Sequence, residues 1–483
     1  MSKRIHAPSR RKLRWASINW SLAEEKVKKL QMRIAKAVRE GRYRLAKSLQ
    51  WLLTHSYYAK LIAIKRVVTN KGKSTSGVDG EIWDTPRKKM QAVELLNRRG
   101  YKPLPLRRIY IKKKNGKLRP LGIPTMRDRA MQAMYALAMA PIAETTGDLN
   151  SYGFRQYRSC ADAIEQCFVC LSRGNSARWV LEADIQSCFD EISHDWMLQN
   201  ILMDKGILKA WLKAGYVDKG KLYPTKAGTP QGGIASPVLA NMTLDGLETA
   251  IKTAVPQGSK VNVIRYADDF IVTGKSRQIL QDKVVPAIDA FLTQRGLNLS
   301  GEKTKITRIE DGFDFLGQHL RKYGDKCILT PSKGAVKSLL AKTRKIIKNH
   351  SEHSEWKMIE MLNPIIRGWA NYHRHICSKK TFSYVDSRIF WQIWKRVVRK
   401  HSSKAKGWIQ KRYFRSDGFR NWIFSATQKT DCGETKILDL FYAASTKILR
   451  HVKIRSAANP YDKIWQRYFS SRVAMKYFDT VMA

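Results

Sequence analysis

The chain has 483 residues, 43% of them hydrophobic, which is enough for several compact domains with real cores. Its 90 Lys and Arg outnumber 40 Asp and Glu, and the formal charge of +50 favours a polyanion such as nucleic acid as the partner. No apolar run reaches the ~20 residues of a membrane span, which disfavours a membrane protein and leaves a merely solvated basic surface as the alternative.

The N-terminal stretch MSKRIHAPSRRKLRW carries no acidic residue and is not followed by an apolar signal core. It therefore resembles a nucleic-acid-binding arm more than a secretion signal, with an organellar transit peptide as the alternative. Seven cysteines, an odd number, suit a reducing compartment better than a disulfide scaffold. These features predict a cytoplasmic, nucleoid-associated protein of a bacterial cell.

Residues 1–80 form a basic segment with a helical pattern from Val27 to about Val68. Apolar residues recur at spacings of three and four on both sides of Gly41, which predicts an amphipathic helix pair. The positions of this apolar stripe are Val27, Leu30, Ile34, Ala37, Leu45, Leu49 and Leu52. A turn-rich stretch, TNKGKSTSGVDG, ends the segment.

Residues 81–330 mix strands and helices. RRIYIKKKNGKLRPLGIP predicts a β-hairpin that turns at Asn115 and Gly116, and VNVIRYADDFIVTG predicts a second hairpin. RWVLEAD predicts a strand that leads into a helix. Beyond Pro331 the chain becomes helical and strongly basic, and we predict one domain over 331–400 and another over 401–483.

Three acidic residues stand at predicted strand ends or turns. Asp268 and Asp269 are adjacent within IRYADDFIVTG, and Asp184 ends WVLEAD. Strand alternation lets at most one of the paired aspartates face a common centre squarely, while the other reaches in from the turn. Because divalent cations relieve their repulsion, carboxylates from two strand ends predict two Mg²⁺ ions about 3.5–4 Å apart that promote nucleotidyl transfer. The alternative is a solvated Asp-Asp turn.

Nine sequence blocks follow one another along the chain: TSGVDG (75–80), KLRPLGIPTMRDRAMQ (117–132), YGFRQYRSCADAI (152–164), LEADIQSCFDEISH (181–194), GTPQGGIASPVLANMTL (228–244), RYADDF (265–270), LSGEKTKI (299–306), GFDFLG (312–317) and LNPIIRGWANYHRH (362–375). Together they resemble the reverse transcriptases, and the last block resembles the maturase signature of the proteins encoded by group II introns. The resemblance implies an α+β right-hand polymerase. Fingers and palm would occupy 81–330 around an antiparallel sheet, a helical thumb or maturase domain 331–400, and a basic DNA-binding domain 401–483.

The resemblance also assigns roles to single residues. Asp184, Asp268 and Asp269 correspond to a metal-binding triad, with the carbonyl of Ile185 as a further ligand. Phe189 corresponds to an aromatic residue that blocks the ribose 2′-hydroxyl and so selects deoxynucleotides. The alternative for Phe189 is an ordinary core aromatic.

Four further residues correspond to contacts with the incoming nucleotide. Lys113 and Arg119 lie where the fingers hairpin would clamp the triphosphate. Lys113 would supply a point charge and Arg119 a planar fork. Lys113 belongs to a run of three lysines, and any of the three could serve. Gln231 and Gly232 would lie beside the nucleotide and the template, where glycine allows close backbone approach. The alternative for the glycine is a role in the turn alone.

The block LNPIIRGWANYHRH places Ile365, Trp369 and Tyr372 on one helix face, which predicts packing of the aromatics. Arg367 and Arg374 lie elsewhere on this helix and are candidates to hold intron RNA. Beyond the block, aromatic residues alternate with Lys and Arg, which suits either stacking on single-stranded bases or a small domain core. These aromatics are Trp391, Trp394, Trp408, Tyr413, Phe414, Phe419 and Trp422.

After Tyr461 the chain contains neither Cys nor His, so we expect it to lack the HNH endonuclease domain that many relatives carry. Cleavage of the second target strand would then be dispensed with. Priming from a replication fork and reverse splicing into single strands are two ways to do so.

The resemblance implies an RNA-directed DNA polymerase that is also a maturase. It would bind its group II intron RNA, promote splicing, and copy the intron into DNA during retrohoming. Its other partners would be target DNA, deoxynucleoside triphosphates and two Mg²⁺ ions, with Mn²⁺ as a substitute, and a homodimer is an open alternative. The competing functions are an RNA-binding splicing factor with an inactive polymerase and a non-intron reverse transcriptase of the retron or defence type.

Overall fold

The computed structural model describes residues 15–112, 116, 118–229, 232–349, 354–429 and 434–481. Helices and strands are mixed along these residues, which confirms the predicted α+β class. No helix within them is both long enough and apolar enough to cross a membrane.

The helices are α1 (Trp20–Arg39), α2 (Tyr43–His55), α3 (Tyr57–Thr69), α4 (Pro86–Leu95), α5 (Met126–Thr146), α6 (Cys160–Leu171), α7 (Cys188–Glu191), α8 (His194–Asn200), α9 (Lys205–Leu212), α10 (Ser236–Leu244), α11 (Leu247–Thr253), α12 (Arg277–Ile279), α13 (Val285–Thr293), α14 (Lys333–Asn349), α15 (Glu355–His373), α16 (Lys379–Lys400), α17 (Lys406–Tyr413) and α18 (Gln466–Val481). The strands are β1 (Leu106–Lys112), β2 (Leu118–Ile123), β3 (Trp179–Asp184), β4 (Tyr216–Asp218), β5 (Lys221–Tyr223), β6 (Val263–Tyr266), β7 (Asp269–Gly274), β8 (Lys305–Arg308), β9 (Phe313–Phe315), β10 (Gln318–Tyr323), β11 (Lys326–Pro331), β12 (Phe414–Arg415), β13 (Ile423–Lys429) and β14 (Thr435–Asp439). A π-helical turn, Leu280–Val284, joins α12 to α13.

The described residues divide into two compact units. The first contains 15–159, 181–305 and 454–473, and the second contains 160–180, 306–453 and 474–481. The domain limits expected at residues 80, 330 and 400 follow sequence motifs, whereas these two units follow packing. The units therefore do not test those limits, which stay predictions.

Helix α5 is the centre of the helical part of the first unit. It is rich in Ala and Met, which are good helix formers, and it is buried on most of its circumference because α1, α2, α3 and α10 pack against it. Thr125 caps its first turn, since the Thr125 hydroxyl oxygen accepts a hydrogen bond from the Asp128 backbone N–H at 3.1 Å.

The N-terminal helices differ from the predicted pair. The second helical stretch is broken at Ser56 into α2 and α3. Within α2, Leu45 and Leu52 are 42% and 45% exposed, whereas Ala46 and Leu53 are buried, so the predicted stripe is wrong at those two leucines. The chain turns between α1 and α2, and the phase of one apolar stripe therefore does not carry over to the next helix.

Two sheets of the first unit contain the predicted hairpins, and both hairpins are confirmed. In the sheet ordered β2-β1-β4-β5, β1 pairs antiparallel with β2; Asn115, at the predicted turn, lies outside the described residues. In the sheet ordered β6-β7-β3-β8, β6 pairs antiparallel with β7 from Val263 opposite Val272 to Tyr266 opposite Asp269. Strand β7 is buried on both faces beyond its first residue, which explains its nearly continuous apolar sequence.

The second unit has a core of helices beside two small sheets. One sheet has the order β11-β10-β9, and the other has the order β12-β13-β14. Helices α14, α15, α16 and α17 supply most of the apolar core. Its fully buried members include Met358, Leu362, Ile366, Phe382, Ile389 and Ile393.

The segment 454–473 returns to the first unit from far along the chain. Asp462 forms an ion pair with Arg39 at 2.7 Å, and the Asn459 side-chain nitrogen donates to the Thr145 hydroxyl oxygen at 3.1 Å. Tyr461 is only 8% exposed. The segment is therefore part of the packing that holds α1 and α5.

Tyr461→Ala should destabilise the first unit by about 3 kcal/mol, because removing a buried aromatic ring loses apolar burial and leaves a cavity. Ile464→Ala is the matched control in the same segment, since Ile464 is 79% exposed and its change should stay within about 0.5 kcal/mol. Denaturant unfolding followed by tryptophan fluorescence measures both. Equal effects of the two substitutions would contradict the packing of this segment.

Candidate active site

The turn between β6 and β7 carries the paired aspartates. Tyr266 pairs with Asp269 across the hairpin, so Ala267 and Asp268 are the two turn residues. Ala267 has a φ of +60°, a left-handed conformation that is strained for a residue with a side chain. Gly153 lies directly against it, because a Cβ at residue 153 would stand 2.4 Å from the Ala267 nitrogen. The turn can keep this form only while residue 153 has no side chain.

A buried arginine supports the turn. Arg265 is 1% exposed, and its Nη2 donates to the Asp245 carboxylate at 2.8 Å. Its Nη1 donates to the Asn241 side-chain oxygen at 3.2 Å and reaches the Ala267 carbonyl oxygen at 3.5 Å. The Asn241 side-chain nitrogen in turn donates to the Gly153 carbonyl at 2.8 Å. One buried cation thus links the hairpin to α10 and to the Gly153 loop.

The third aspartate reaches the same place from β3. Asp184 is the last residue of β3, and its carbonyl oxygen accepts from the Ser300 N–H at 2.8 Å. The Asp184 side chain is close enough to Asp269 to raise the pKa of that carboxyl. Lys303 Nζ donates to Asp184 Oδ2 at 2.6 Å. Carboxyl groups from two separate strands therefore lie close together, with a lysine beside them.

The three carboxyl groups disfavour one another's charge. Although Asp269 as a residue is exposed, loss of water around its carboxyl raises its pKa to about 7, together with the nearby Asp184 and repulsion from Asp268 and Asp184. Burial also raises the pKa of Asp268, and repulsion from Asp184 adds to this, whereas Arg119 and Lys303 oppose it. Near neutral pH the triad holds a proton part of the time and favours added positive charge.

The donor set suits a divalent cation such as Mg²⁺, which prefers carboxylate oxygens. Within the described ranges, no three His, Cys, Asp or Glu side chains already stand in metal-binding positions. Asp184 bonds instead to the ammonium group of Lys303, which compensates its charge. Ile185 forms an isolated β-bridge with Leu299, which places its backbone next to this group. The residues present therefore fit a metal that would replace the lysine as the counter-charge.

Phe189 follows the triad strand and is partly buried. Its ring packs edge to face against Phe154, with 6.3 Å between ring centroids, and its carbonyl accepts from the Thr229 N–H at 2.6 Å. Gly228 passes so close that a Cβ there would stand 2.4 Å from the Asp190 carbonyl carbon. The loop 228–229 thus holds the short helix that carries Phe189.

Gly232 approaches the β1–β2 hairpin. Its φ is +111°, and a Cβ would stand 2.8 Å from the Gly122 carbonyl oxygen. The Gln132 side-chain oxygen accepts from the Ile234 N–H at 2.8 Å, which attaches this loop to α5. Position 232 therefore requires glycine, because the Gly122 carbonyl leaves no room for a side chain there. Two of the predicted nucleotide contacts lie outside the described residues: Lys113 and Gln231.

The two arginines predicted to hold RNA lie in the second unit. Arg367 is exposed on α15, with its guanidinium 4.9 Å from the centre of the Phe441 ring. Arg374 follows α15, and its carbonyl accepts from the Leu449 N–H at 2.9 Å. Trp369 packs against the core of this unit, as the sequence predicts. The RNA-binding roles of both arginines stay predictions.

Of the aromatics beyond α15, some pack in a core and others are exposed, as expected for stacking on bases. Tyr413 and Phe414 are buried in the core of the second unit, and Trp394 packs against it. Four others are more than 40% exposed, which leaves them available for stacking: Trp391, Trp408, Phe419 and Trp422.

Three stretches of the chain match known protein families. Residues 15–96 match the N-terminal domain of reverse transcriptase, and residues 111–320 match Reverse transcriptase (RNA-dependent DNA polymerase). Residues 336–414 match the maturase-specific domain of group II introns. The chain belongs to the group II intron-encoded reverse transcriptases. It is an RNA-directed DNA polymerase with an intron maturase region, in a family that uses divalent metal ions and binds intron RNA.

The chain is also similar to individual known proteins. Protein YkfC of Escherichia coli K12 is 34% identical over 318 residues, which cover 56% of this reverse transcriptase and 82% of YkfC. Group II intron-encoded protein LtrA of Lactococcus lactis subsp. cremoris is 27% identical over 460 residues, which cover 75% of this chain and 76% of LtrA. A solved telomerase of Candida albicans, in complex with a fragment of telomeric RNA, aligns with a TM-score of 0.38 and 12% identity over 65% of each chain. The predicted family and polymerase activity are confirmed.

Sequence reasoning missed three residues that build the site of this reverse transcriptase: Lys303, Arg265 and Gly153. Each stands inside a block that resembles the family, but nothing in the local pattern shows what its side chain, or the lack of one, contacts. Lys303 is 119 positions from the carboxylate it meets, so only the fold reveals the pair.

Gly153→Ala tests the support of the turn. The added Cβ would overlap the Ala267 nitrogen, so the turn must shift and carry Asp268 with it, and we expect primer extension to fall about a hundredfold. Gly301→Ala is the matched control, because a Cβ there would meet nothing within 4 Å. The circular dichroism spectra should be the same for both. Wild-type activity in Gly153→Ala would show that the turn tolerates a side chain at this position.

Asp269→Asn should raise the stability of the metal-free protein at high pH. A carboxyl whose pKa is raised to about 7 stabilises the folded chain while protonated, and that contribution is lost as pH rises from about 4 through 7. The variant cannot ionise, so its unfolding temperature should exceed that of wild type by more at about pH 8 than at about pH 5. Thermal melts in EDTA measure the difference.

Asp289→Asn, which removes an exposed acid on α13, is the control for net charge. If both variants raise the unfolding temperature equally at about pH 8, overall charge explains the effect and repulsion within the triad does not.

Proposed function

We propose that Asp184, Asp268 and Asp269 hold two Mg²⁺ ions, with Mn²⁺ as a substitute, and that the carbonyl of Ile185 is a further ligand. The observation that supports this most strongly is that carboxyl groups from two strands meet: Lys303 bonds to Asp184 of β3, and Asp184 and Asp268 raise the pKa of Asp269 in the hairpin. Lys303 bonds to Asp184 at 2.6 Å, so the carboxyl groups already bind one positive charge. When bound, the ions would stabilise charge on the attacking 3′-oxygen and on the leaving pyrophosphate.

Residues of the chain would place the deoxynucleoside triphosphate beside the triad. Arg119 would donate its planar fork to the phosphate oxygens, which its electrostatic effect on the triad supports. Lys113 would add a point charge from the same hairpin. Phe189 would fill the space beside the sugar and so exclude a ribose 2′-hydroxyl. Gln231 and Gly232 would lie along the nucleotide and the template.

The nucleic acids would be held mainly through their phosphates. The maturase region, 336–414, would bind the intron RNA with the help of Arg367 and Arg374 and stabilise its folded form for splicing. The basic region 401–483 would hold target DNA through its Lys and Arg. With a charge of +50 we place the protein with the nucleoid in a bacterial cytoplasm.

Asp268→Ala and Asp269→Ala test the metal-binding role. Each variant should lose primer extension on an RNA template by at least about a thousandfold, because several kcal/mol of charge stabilisation would be lost. RNA affinity, measured by filter binding, should stay within about twofold of wild type, because the phosphate contacts lie elsewhere.

Asp289→Ala is the matched control, an exposed aspartate of the same unit that should keep full primer extension. A wild-type protein that extends primers no better than Asp268→Ala would support the alternative, a splicing factor with an inactive polymerase.

A further inference from the structure

Helix α16 and the sheet β12-β13-β14 enclose a cavity of about 360 Å³ within the second unit. Its walls are largely aromatic and include Phe390, Phe414 and Trp422. The Trp422 ring lies 6.0 Å from the Phe390 ring and 5.6 Å from the Phe414 ring, measured between centroids. A volume of this size, with aromatic walls, suits a small planar ligand.

Trp422 forms an exposed wall of the cavity. It is 41% exposed, although the neighbouring Phe414 and Phe424 are 8% and 3% exposed. Its φ is +62°, which is a strained conformation for a bulky residue. Such strain persists where surrounding contacts impose it, and it concentrates at binding sites. Trp422 therefore lines the cavity and is partly open to solvent.

Polar groups with fixed positions stand at the same cavity. Both carboxylate oxygens of Asp386 accept backbone hydrogen bonds, from Ala443 and Ala444 at 2.8 Å each, and each oxygen retains a further acceptor site. The Arg420 guanidinium lies 3.8 Å from the centre of the Tyr442 ring, and both residues line the cavity. The cavity therefore presents an acceptor group and a donor group of opposite charge.

The surroundings of the cavity attract a polyanion. Residues 379–429 contain 14 Lys and Arg but two acidic residues. A free uncharged aromatic compound would gain nothing from this charge, whereas a base within a nucleic-acid strand would gain phosphate contacts on both sides. Helix α16 belongs to the stretch that matches the maturase-specific domain, which favours RNA over DNA.

We propose that this cavity receives one unpaired guanine of an RNA strand, stacked on Trp422. Arg420 donates to the O6 and N7 acceptors of the base, and Asp386 accepts from its N1–H and 2-amino groups, a combination that adenine does not offer. The surrounding Lys and Arg hold the flanking phosphates. This inference rests on the proposed binding of intron RNA and adds a site that reads one base.

The test uses the full-length protein and labelled oligouridylates of about 12 nucleotides that carry a central G, A or abasic site. Wild type should bind the G strand several-fold more tightly than the A strand, and the abasic strand most weakly. Trp422→Ala should weaken binding of the G strand about tenfold, so that the affinities for the three strands become similar. Trp422→Phe, which keeps a ring, should restore most of the difference.

Two further variants separate base selection by Arg420 from nonspecific effects of removing an exposed ring. Arg420→Gln should remove the preference for G over A while both still bind more tightly than the abasic strand. Tyr323→Ala is the matched control, because Tyr323 is 52% exposed in the same unit and does not line the cavity. It should keep the full ranking of the three strands, and thermal melts should show that all variants are folded.

Several results would overturn the proposal. They are an unchanged ranking in Trp422→Ala, an equal loss in Tyr323→Ala, and a deoxyribose strand that binds as tightly as RNA with the same dependence on Trp422. A wild-type protein that binds none of the strands would instead overturn the RNA-binding function on which the proposal rests. Anisotropy titrations at fixed salt therefore separate failure of the cavity from failure of the function.

Discussion

Positive charge on two sides holds three mutually repelling carboxyl groups together. Lys303 bonds to the Asp184 carboxylate, and Arg265, fully buried, bonds to Asp245 and reaches the turn that carries the paired aspartates. A buried charge is costly unless it is paired, so Arg265 can occupy this place only with Asp245 opposite it. The position of the hairpin therefore depends on an ion pair that never touches substrate.

The same network extends to distant parts of the first unit. Glu144, at the end of α5, accepts from Arg155 at 2.7 Å and from Arg158 at 3.1 Å, and all three side chains are almost completely buried. Arg158 also donates to the Ser456 carbonyl at 3.0 Å, within the segment 454–473. The loop that supplies Gly153 is thus anchored both to α5 and to a segment some 300 positions later in the chain. Stability and active-site geometry depend here on the same contacts.

Helix α16 gives the second unit two chemically different surfaces. On one side, α14 and α16 line a groove of about 890 Å³. Its cations are Lys337, Arg344, Lys348, Arg388, Lys395, Arg396, Arg399 and Lys400. On another side lies the aromatic cavity of Trp422. A groove of cations binds any phosphate backbone, whereas a cavity with one acceptor and one donor can discriminate between bases, and a maturase that must recognise its own intron needs both properties.

The sequence by itself determined the hairpins and the α+β class, because apolar runs and turn residues are local patterns. It also singled out Asp184, Asp268 and Asp269, whose role as metal ligands stays a prediction. It also indicated that one aspartate reaches the centre from the turn. Only the tertiary structure decided that Lys303 neutralises Asp184, that Gly153 must lack a side chain, and that Trp422 is exposed while Phe414 is buried. These depend on contacts between residues far apart in the chain, and local periodicity carries no information about which partner a side chain will meet.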